Sequence, residues 1–552
     1  MEHCRLGAAH RRRRRGAALR RGSRGGGFRG QRPCPVPAAA VSHGRADGTG
    51  ARARPLCRAG PLGAGVRRGV LRRIRGEDRA GADACRPAVG AGGGFPDRRH
   101  RVAARLRRAA AQPAGDARGA GPAFRAVRLG GAAMKVVIAN TTLLNAGDAA
   151  INEATMQILR HSFGGEVDFA CYEANPAVAA RYHPTLALRA ALFDQVASHL
   201  RWRFARLPAL LWVLAIARLA RVWKVALLAL PAGLRRSLAE YRAADVVVSA
   251  GGTYLVDRYR IAPRIFDFLV VLALGRPLVL FTQSIGPLAP GRDRLLLRFA
   301  LRRAALVMVR DRPSEALVAE LGVPAARVAR CPDAVFALSQ PHEHVSDAPR
   351  INPPRIAVSV RDWPFFAGGR AEEGMERYLD AVAAFVRRVV ETDGARVTMV
   401  STCQGVPEYW TDDSKVAARV IDRLPAALRD NVTLDGRFRS PAALIDYLRG
   451  FDLIVATRMH AGILALCAGV PVVPIAYEFK TRELFTELEA EALLCDVETV
   501  TAGRLYRACR RALGQTRYGR AAAHWRRVAL ARCHAMASGR LVAAAVYGEG
   551  RT

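Results

Sequence analysis

From Met134 onward, short apolar runs alternate with longer stretches of helical periodicity, and this alternation confines the chain to one class of fold. Consecutive parallel strands need a long crossover between them, normally a helix, so the pattern predicts βαβ units in an α/β protein. In the first half the spacing predicts strands at Lys135–Asn140, Val167–Tyr172, Asp245–Ala250, Pro277–Thr282 and Ala305–Val309. Helical periodicity separates them at Ala149–His161, Arg260–Leu274 and Asp293–Arg303.

A polar, Pro-rich stretch near Gln340–Pro354 interrupts the pattern, which then resumes. The second set has strands at Arg355–Val360, Arg396–Ser401, Leu453–Ala456 and Pro471–Ile475. Its helices fall at Met375–Thr392, Ser414–Leu424, Pro441–Leu448 and His460–Cys467, and the last fifty residues read as helical and Arg-rich. The expectation is two Rossmann-like, doubly wound domains, 134–342 and 355–552, joined by a linker at 343–354. Ligands of open α/β sheets bind beyond the strand C-termini, so the two domains should face a common cleft.

The chain's net charge of +39 is not spread along it. Residues 1–133 hold 31 Arg and no Lys against 7 acidic residues, a local excess of +24. The same segment lacks Asn, Tyr and Trp and has one Ile and one Thr, so it cannot bury enough surface to offset chain entropy and should be disordered. Three origins fit it. A nucleic-acid-binding tail is disfavoured because only three aromatic residues, all Phe, lie among the arginines, and an organelle leader because of its length and its acidic residues. GC-rich sequence translated from too early a start codon fits best, with Met134, the first Met after Met1, as the expected true start. Nucleic acid is therefore not an expected partner.

Seven Cys lie beyond that segment, widely spaced and never as CxxC, which is a reduced, cytoplasmic pattern without zinc spacing. No uninterrupted apolar run reaches the ~18–20 residues of a spanning helix. The insertion Ala209–Leu230 is the exception to an ordinary soluble pattern. Arg218, Arg221 and Lys224 would form one stripe on a helix beside Trp212, Trp223 and many Leu. A helix lying at the inner face of a membrane fits this, and so does a buried helix with snorkelling cations.

Several strand ends carry polar or glycine-rich turns. Asn145-Ala-Gly147-Asp148 opens a helix whose free N–H groups suit an anionic or hydroxylated ligand, unless Asp148 is simply the N-cap. Gly251-Gly252, with Asp257 beyond, allows close backbone approach, and Gln283-Ser-Ile-Gly286-Pro287 ends another strand. Arg310-Asp311 ends a third, where Arg310 would project at the cleft edge. The strongest element is Arg458-x-His460 at a helix start, followed by a buried strand ending before Lys480. Two cations and a titratable imidazole from adjacent strand ends suit a doubly anionic small substrate and proton transfer. No DxD or His-rich cluster points to a metal.

The order and spacing of these pieces, with Pro332-Asp333 and Ser359-Val-Arg361, resemble the polysaccharide pyruvyl transferase family from Met134 to about Glu489. The resemblance implies a GT-B-like fold, phosphoenolpyruvate as co-substrate with no other cofactor, and a saccharide acceptor, free or lipid-linked, that receives a pyruvate ketal. It implies catalytic roles for His460, Arg310 and Lys480, and donor binding by Arg458 and Arg361. Asn145, Gly147, Asp148, Gly251, Gly252, Asp257, Gln283 and Gly286 would line the substrate site. Two departures stand out: Ala250 where the family often has a third glycine, and the unmatched Ala209–Leu230 insertion. A nucleotide-sugar glycosyltransferase of the same architecture is the main rival, though carboxylates would be expected where this chain has Arg458 and His460. A degenerate, non-catalytic sugar-binding protein is the other.

Overall fold

All nine strands predicted from the apolar runs form, and each pairs in parallel with its neighbours. The structure, a computed structural model, describes residues 133–548 except 165, 198–199, 201–202, 341–352, 367–369 and 518–520. The expected leader and nearly all of the expected linker lie outside the described residues.

Among the described residues the first sheet contains β1 (Met134–Thr141), β2 (Val167–Glu173), β3 (Leu188–Ala190), β4 (Val246–Ser249), β5 (Gly252–Leu255), β6 (Leu278–Ile285), β7 (Leu306–Val309) and β8 (Val328–Arg330). Their order is β3-β2-β1-β4-β6-β7-β8, with β5 added beside β6. The second sheet contains β9 (Arg355–Ser359), β10 (Arg396–Met399), β11 (Val432–Leu434), β12 (Leu453–Ala456), β13 (Val472–Ala476) and β14 (Cys495–Asp496), in the order β11-β10-β9-β12-β13-β14. Each sheet grows outward from its first strand and then reverses, the doubly wound order whose switch point forms a crevice. Two Rossmann-like domains thus face a cleft, the GT-B-like arrangement that the resemblance implies.

Alternation along the strands sorts the core. Val136, Ile138, Val248 and Phe281 pack on one face of the first sheet, under the helix Ala146–Phe163. Val137, Val247, Leu280 and Val307 pack on the other, under Arg206–Ala220, Ala232–Ala243, Ala262–Ala273 and Arg292–Arg303. Burying one such side chain as fully as Phe281 stabilises by roughly 1.5–3 kcal/mol. The buried cysteines sit among these residues as small hydrophobes, and all seven described cysteines are free.

The chain ends by crossing between domains. Ala502–Arg517 packs on the second domain's helix Ala371–Asp393, where Arg510 meets Asp393 at 3.0 Å. The final helix, Ala521–Tyr547, packs instead on Ala146–Phe163 and the short helix Ala334–Leu338 of the first domain. Tyr547 lies edge-on to Phe163 at 6.1 Å, and its hydroxyl is 3.2 Å from the Met134 sulfur.

The insertion departs from a single continuous helix over Ala209–Leu230. A helix spans Arg206–Ala220, the chain turns, and a 3-10 segment follows at Lys224–Ala229. Trp223 is extended between them (φ −113°, ψ 101°), so Lys224 leaves the stripe that Arg218 and Arg221 begin. Among the described residues, no helix is long and apolar enough to cross a membrane.

Gly539 is where the last helix makes its closest approach: a Cβ there would lie 2.8 Å from Ile158 Cγ2 and collide with the Ser162 hydroxyl. Gly539→Val should therefore force the two helices apart and cost about 1–3 kcal/mol, read as a lowered urea midpoint with an unchanged m-value.

Candidate active site

The switch points of both sheets open on one cavity of about 580 Å³. Strand ends supply its walls, since a buried strand places whatever follows it at the sheet's C-terminal edge. The first domain contributes the loop Asn140–Asp148, the turn after β4 and the start of the helix Ala262–Ala273. The second contributes Arg361, Thr402, Arg458, His460, Tyr477 and Lys480.

The second-domain wall holds the predicted cations, each already given a partner. Arg458 forks onto Asp413, both contacts 2.7 Å, and Asp413 also accepts from Ser401 at 2.5 Å. Lys480 Nζ is 2.7 Å from Glu478 and donates at 3.3 Å to Thr253 of the first domain. Burial works against the Lys480 ammonium, but Tyr477 and Glu478 outweigh it and hold its pKa above the ordinary lysine value. Arg361 Cζ lies 4.3 Å over the Tyr477 ring, and its Nε donates to Asp362 O at 3.1 Å.

Arg310 is placed differently from its expected position at the cleft edge. It is buried behind the wall, ion-paired to Asp333, because an uncompensated guanidinium at that depth would be costly. Its remaining donors reach Ser284 at 2.9 Å and Thr253 at 2.7 Å. It still meets the site through neighbours. Its NH1 stands 3.5 Å from His460 Nε2, and Asp333 Oδ2 lies 3.4 Å from the same nitrogen. Burial alone would raise the Asp333 carboxyl, but Arg310 and His460 reverse this and hold it well below the usual carboxylate range.

On the first-domain wall Asn145, rather than Asp148, caps the helix, accepting from Gly147 N at 2.9 Å. Its amide donates to Asp148 at 2.8 Å, which leaves that carboxylate at the cavity. Gly147 has a spatial role: a Cβ there would be 2.7 Å from His460 Cβ and 3.0 Å from its Nδ1. Gly251 lines the cavity where a Cβ would meet Phe281 O at 2.9 Å, and Gly252 adopts φ +143°, a region that favours glycine.

Six predicted residues do not line the cavity: Arg310, Gly147 and Gly252, placed above, and Gln283, Gly286 and Asp257. Gln283 is buried behind it, bonded to Tyr254 at 2.8 Å. Gly286 turns the chain at φ +89° beside Leu317. Asp257 is exposed and accepts from Ala289 N at 2.5 Å, so it holds the loop after β6 rather than a ligand. Conversely, sequence reasoning missed Thr253, Glu173, Arg264, Asp413 and Glu478. Thr253 follows the double glycine directly, the one signal that pointed to it. Glu173 ends β2 and fixes the loop through Leu143 N at 2.9 Å, and burial raises its pKa against the hydrogen bonds it accepts.

Asp333→Ala would leave Arg310 buried without its carboxylate, so stability should fall by about 3–5 kcal/mol, measured by urea unfolding at neutral pH. In the wild type the Asp333 carboxyl ionises at lower pH folded than unfolded. Its contribution is therefore complete above about pH 4 and lost as pH falls further. The acid limb of a stability–pH profile should be shallower in Asp333→Asn.

The chain is similar to several known proteins. The amylovoran biosynthesis protein AmsJ of Erwinia amylovora is 25% identical over 289 residues, covering 50% of this chain and 68% of AmsJ. Among solved structures, Anabaena Alr3699/HepE in complex with UDP is 14% identical with a TM-score of 0.42, over 75% of this chain and 98% of that one. The UDP-GlcNAc 2-epimerase of Methanocaldococcus jannaschii is 11% identical with a TM-score of 0.44, over 72% and 99%. The polysaccharide pyruvyl transferase profile matches residues 145–478, a span that runs from the helix cap at Asn145 to Glu478 beside Lys480 and takes in most of both cavity walls. The chain belongs to the polysaccharide pyruvyl transferase family.

Proposed function

We propose that the chain transfers pyruvate from phosphoenolpyruvate onto two hydroxyls of one saccharide, forming a cyclic ketal and releasing phosphate. The observation that carries this reading is the division of the cavity. Arg361, Arg458, Lys480 and His460 stand on the second-domain wall, and Asn140, Asn145, Asp148 and Glu173 on the first, where Arg260 and Arg264 also stand. The cations suit a donor with both phosphate and carboxylate, and guanidinium forks match its paired oxygens. The amides and carboxylates opposite suit sugar hydroxyls, and Tyr409 and Trp410 of the second domain add flat aromatic surface to the cavity.

The chemistry needs two protons taken from the hydroxyls, one placed on carbon and one leaving with phosphate. Protonation of the donor's methylene carbon makes the central carbon electrophilic. One hydroxyl adds there, the C–O bond to phosphate breaks, and the second hydroxyl closes the ketal. The two hydroxyl protons balance the new methyl C–H and the departing phosphate. His460 is the general acid/base in this scheme. With Nε2 directed at Asp333, Nδ1 is the nitrogen left for substrate, and Asp333 favours the tautomer and steadies the imidazolium. Arg310 acts on His460 through Asp333 and is a positioning residue, while Lys480 holds the donor's negative charge.

Phosphate release from phosphoenolpyruvate with a panel of nucleotide- and lipid-linked sugars tests the reading. His460→Ala should lower the rate by at least about 10²-fold; near-normal ketal formation would refute the assignment. In thermal shift, phosphoenolpyruvate should stabilise the protein, and stabilisation by UDP or GDP sugars alone would favour a glycosyltransferase instead. Gly147→Ala should cost about 10²-fold in rate by displacing the imidazole, with little change in the unfolding midpoint.

A further inference from the structure

One flank of the first domain presents apolar side chains and cations together, from two helices far apart in sequence. In the insertion Leu211, Trp212, Leu219, Trp223, Val225 and Leu228 are exposed, Trp212 by 55%, Trp223 by 64% and Val225 by 71%. Arg218, Arg221 and Lys224 are exposed among them, and no Asp or Glu occurs between Asp194 and Glu240. The helix Arg292–Arg303 repeats this chemistry: Leu295 and Phe299 are exposed beside Arg298, Arg302 and Arg303.

Both helices lie on the same face of the first sheet, packed on either side of Ala262–Ala273. Neighbouring helix axes are about 8–10 Å apart, so the two exposed rows stand roughly 20 Å from one another on one flank. Arg221 lies against Gly275, at the C-terminal end of the middle helix. The other end of that helix begins beside Arg260 and Arg264, which line the cavity.

We propose that this flank docks on a bilayer surface carrying anionic headgroups, with Trp and Leu entering the interface and the arginines and lysine meeting phosphate. Interleaved cations argue against a second copy as the occupant, since a two-fold contact would set like charges opposite one another. The proposal concerns the surface alone and does not depend on the donor or the reaction.

The full-length chain would be floated with phosphatidylcholine vesicles and with mixed phosphatidylcholine–phosphatidylglycerol vesicles. Binding should favour the anionic mixture by about tenfold or more, and Trp212→Ser/Trp223→Ser/Leu228→Ser should lower it by a similar factor. Arg218→Gln/Lys224→Gln, which leaves the apolar row intact, should selectively weaken binding to the anionic vesicles. Because residues 1–133 contain no Trp, quenching of tryptophan fluorescence by brominated acyl chains reports on residues 134–552 and should be lost in Trp212→Phe/Trp223→Phe. Equal flotation of the triple variant, absence of quenching in the wild type, or a dimer that the triple variant dissolves without any vesicle binding would overturn the proposal.

Discussion

The buried pair of Arg310 and Asp333 sets the geometry on which the rest of the site depends. Such a pair is weak evidence for stability, because removing two charges from water offsets most of their attraction. What it fixes is position. Asp333 binds Arg310, faces His460 and caps the short helix Ala334–Leu338 through Val335 N at 3.0 Å. Arg310 takes Ser284 and Thr253 with its other donors, and Thr253 accepts from Lys480. One ion pair thereby sets the register of a histidine, a lysine and two strand ends.

What was legible in the sequence, and what was not, follows from how local each signal is. Most of the nine predicted strands are buried on both faces and read as continuous apolar runs, β10 being buried on one face. The strands missed were β5 and the four sheet edges β3, β8, β11 and β14, each two to four residues long. Short edges are how sheets avoid further pairing, and they are too short to show a period. Arg458, His460 and Lys480 were legible because a residue following a buried strand has little choice of location. Their carboxylate partners were not. Asp413 is 45 residues from Arg458, and Asp333 is 23 from Arg310. Pairing at such separations is a tertiary event, and it also drew Arg310 inward from the edge where the sequence put it. Gly147 was legible as a special position but for a different reason, since what it supplies is room for the imidazole.

The insertion shows the same limit from the other side. Its composition announced cations, Trp and Leu, but a stripe drawn on an ideal helix assumed unbroken helix to Leu230. The turn after Ala220 moves Trp223 and Val225 outward, while Val213, Ile216 and Ala217 join the core. Whether such a segment is buried or presented depends on where the helix ends, and no capping signal marks that end: no Gly or Pro follows Arg221 until Pro231.

The central contacts of the site are divided between the domains, and this gives their coupling a physical form. Asp333 and Thr253 belong to the first domain, His460 and Lys480 to the second, so both contacts exist only while the domains are closed on each other. Behind the cavity the closure is apolar: the helix Met459–Cys467 packs on Ala334–Leu338, and Cys467 Sγ meets Val335 O at 3.4 Å. Around the rim it rests on Arg181–Glu408, Arg258–Glu478 and Arg330–Glu487, all at least partly exposed. Pairs of that kind contribute about 0–1 kcal/mol each, against several for a buried apolar contact surface. Any opening would therefore pivot on the apolar side and part the rim first, separating the imidazole from its carboxylate before the core behind it is disturbed. A ligand that neutralises cations on one wall while bonding the other would favour the closed form, and closure is the state in which His460 has its partner.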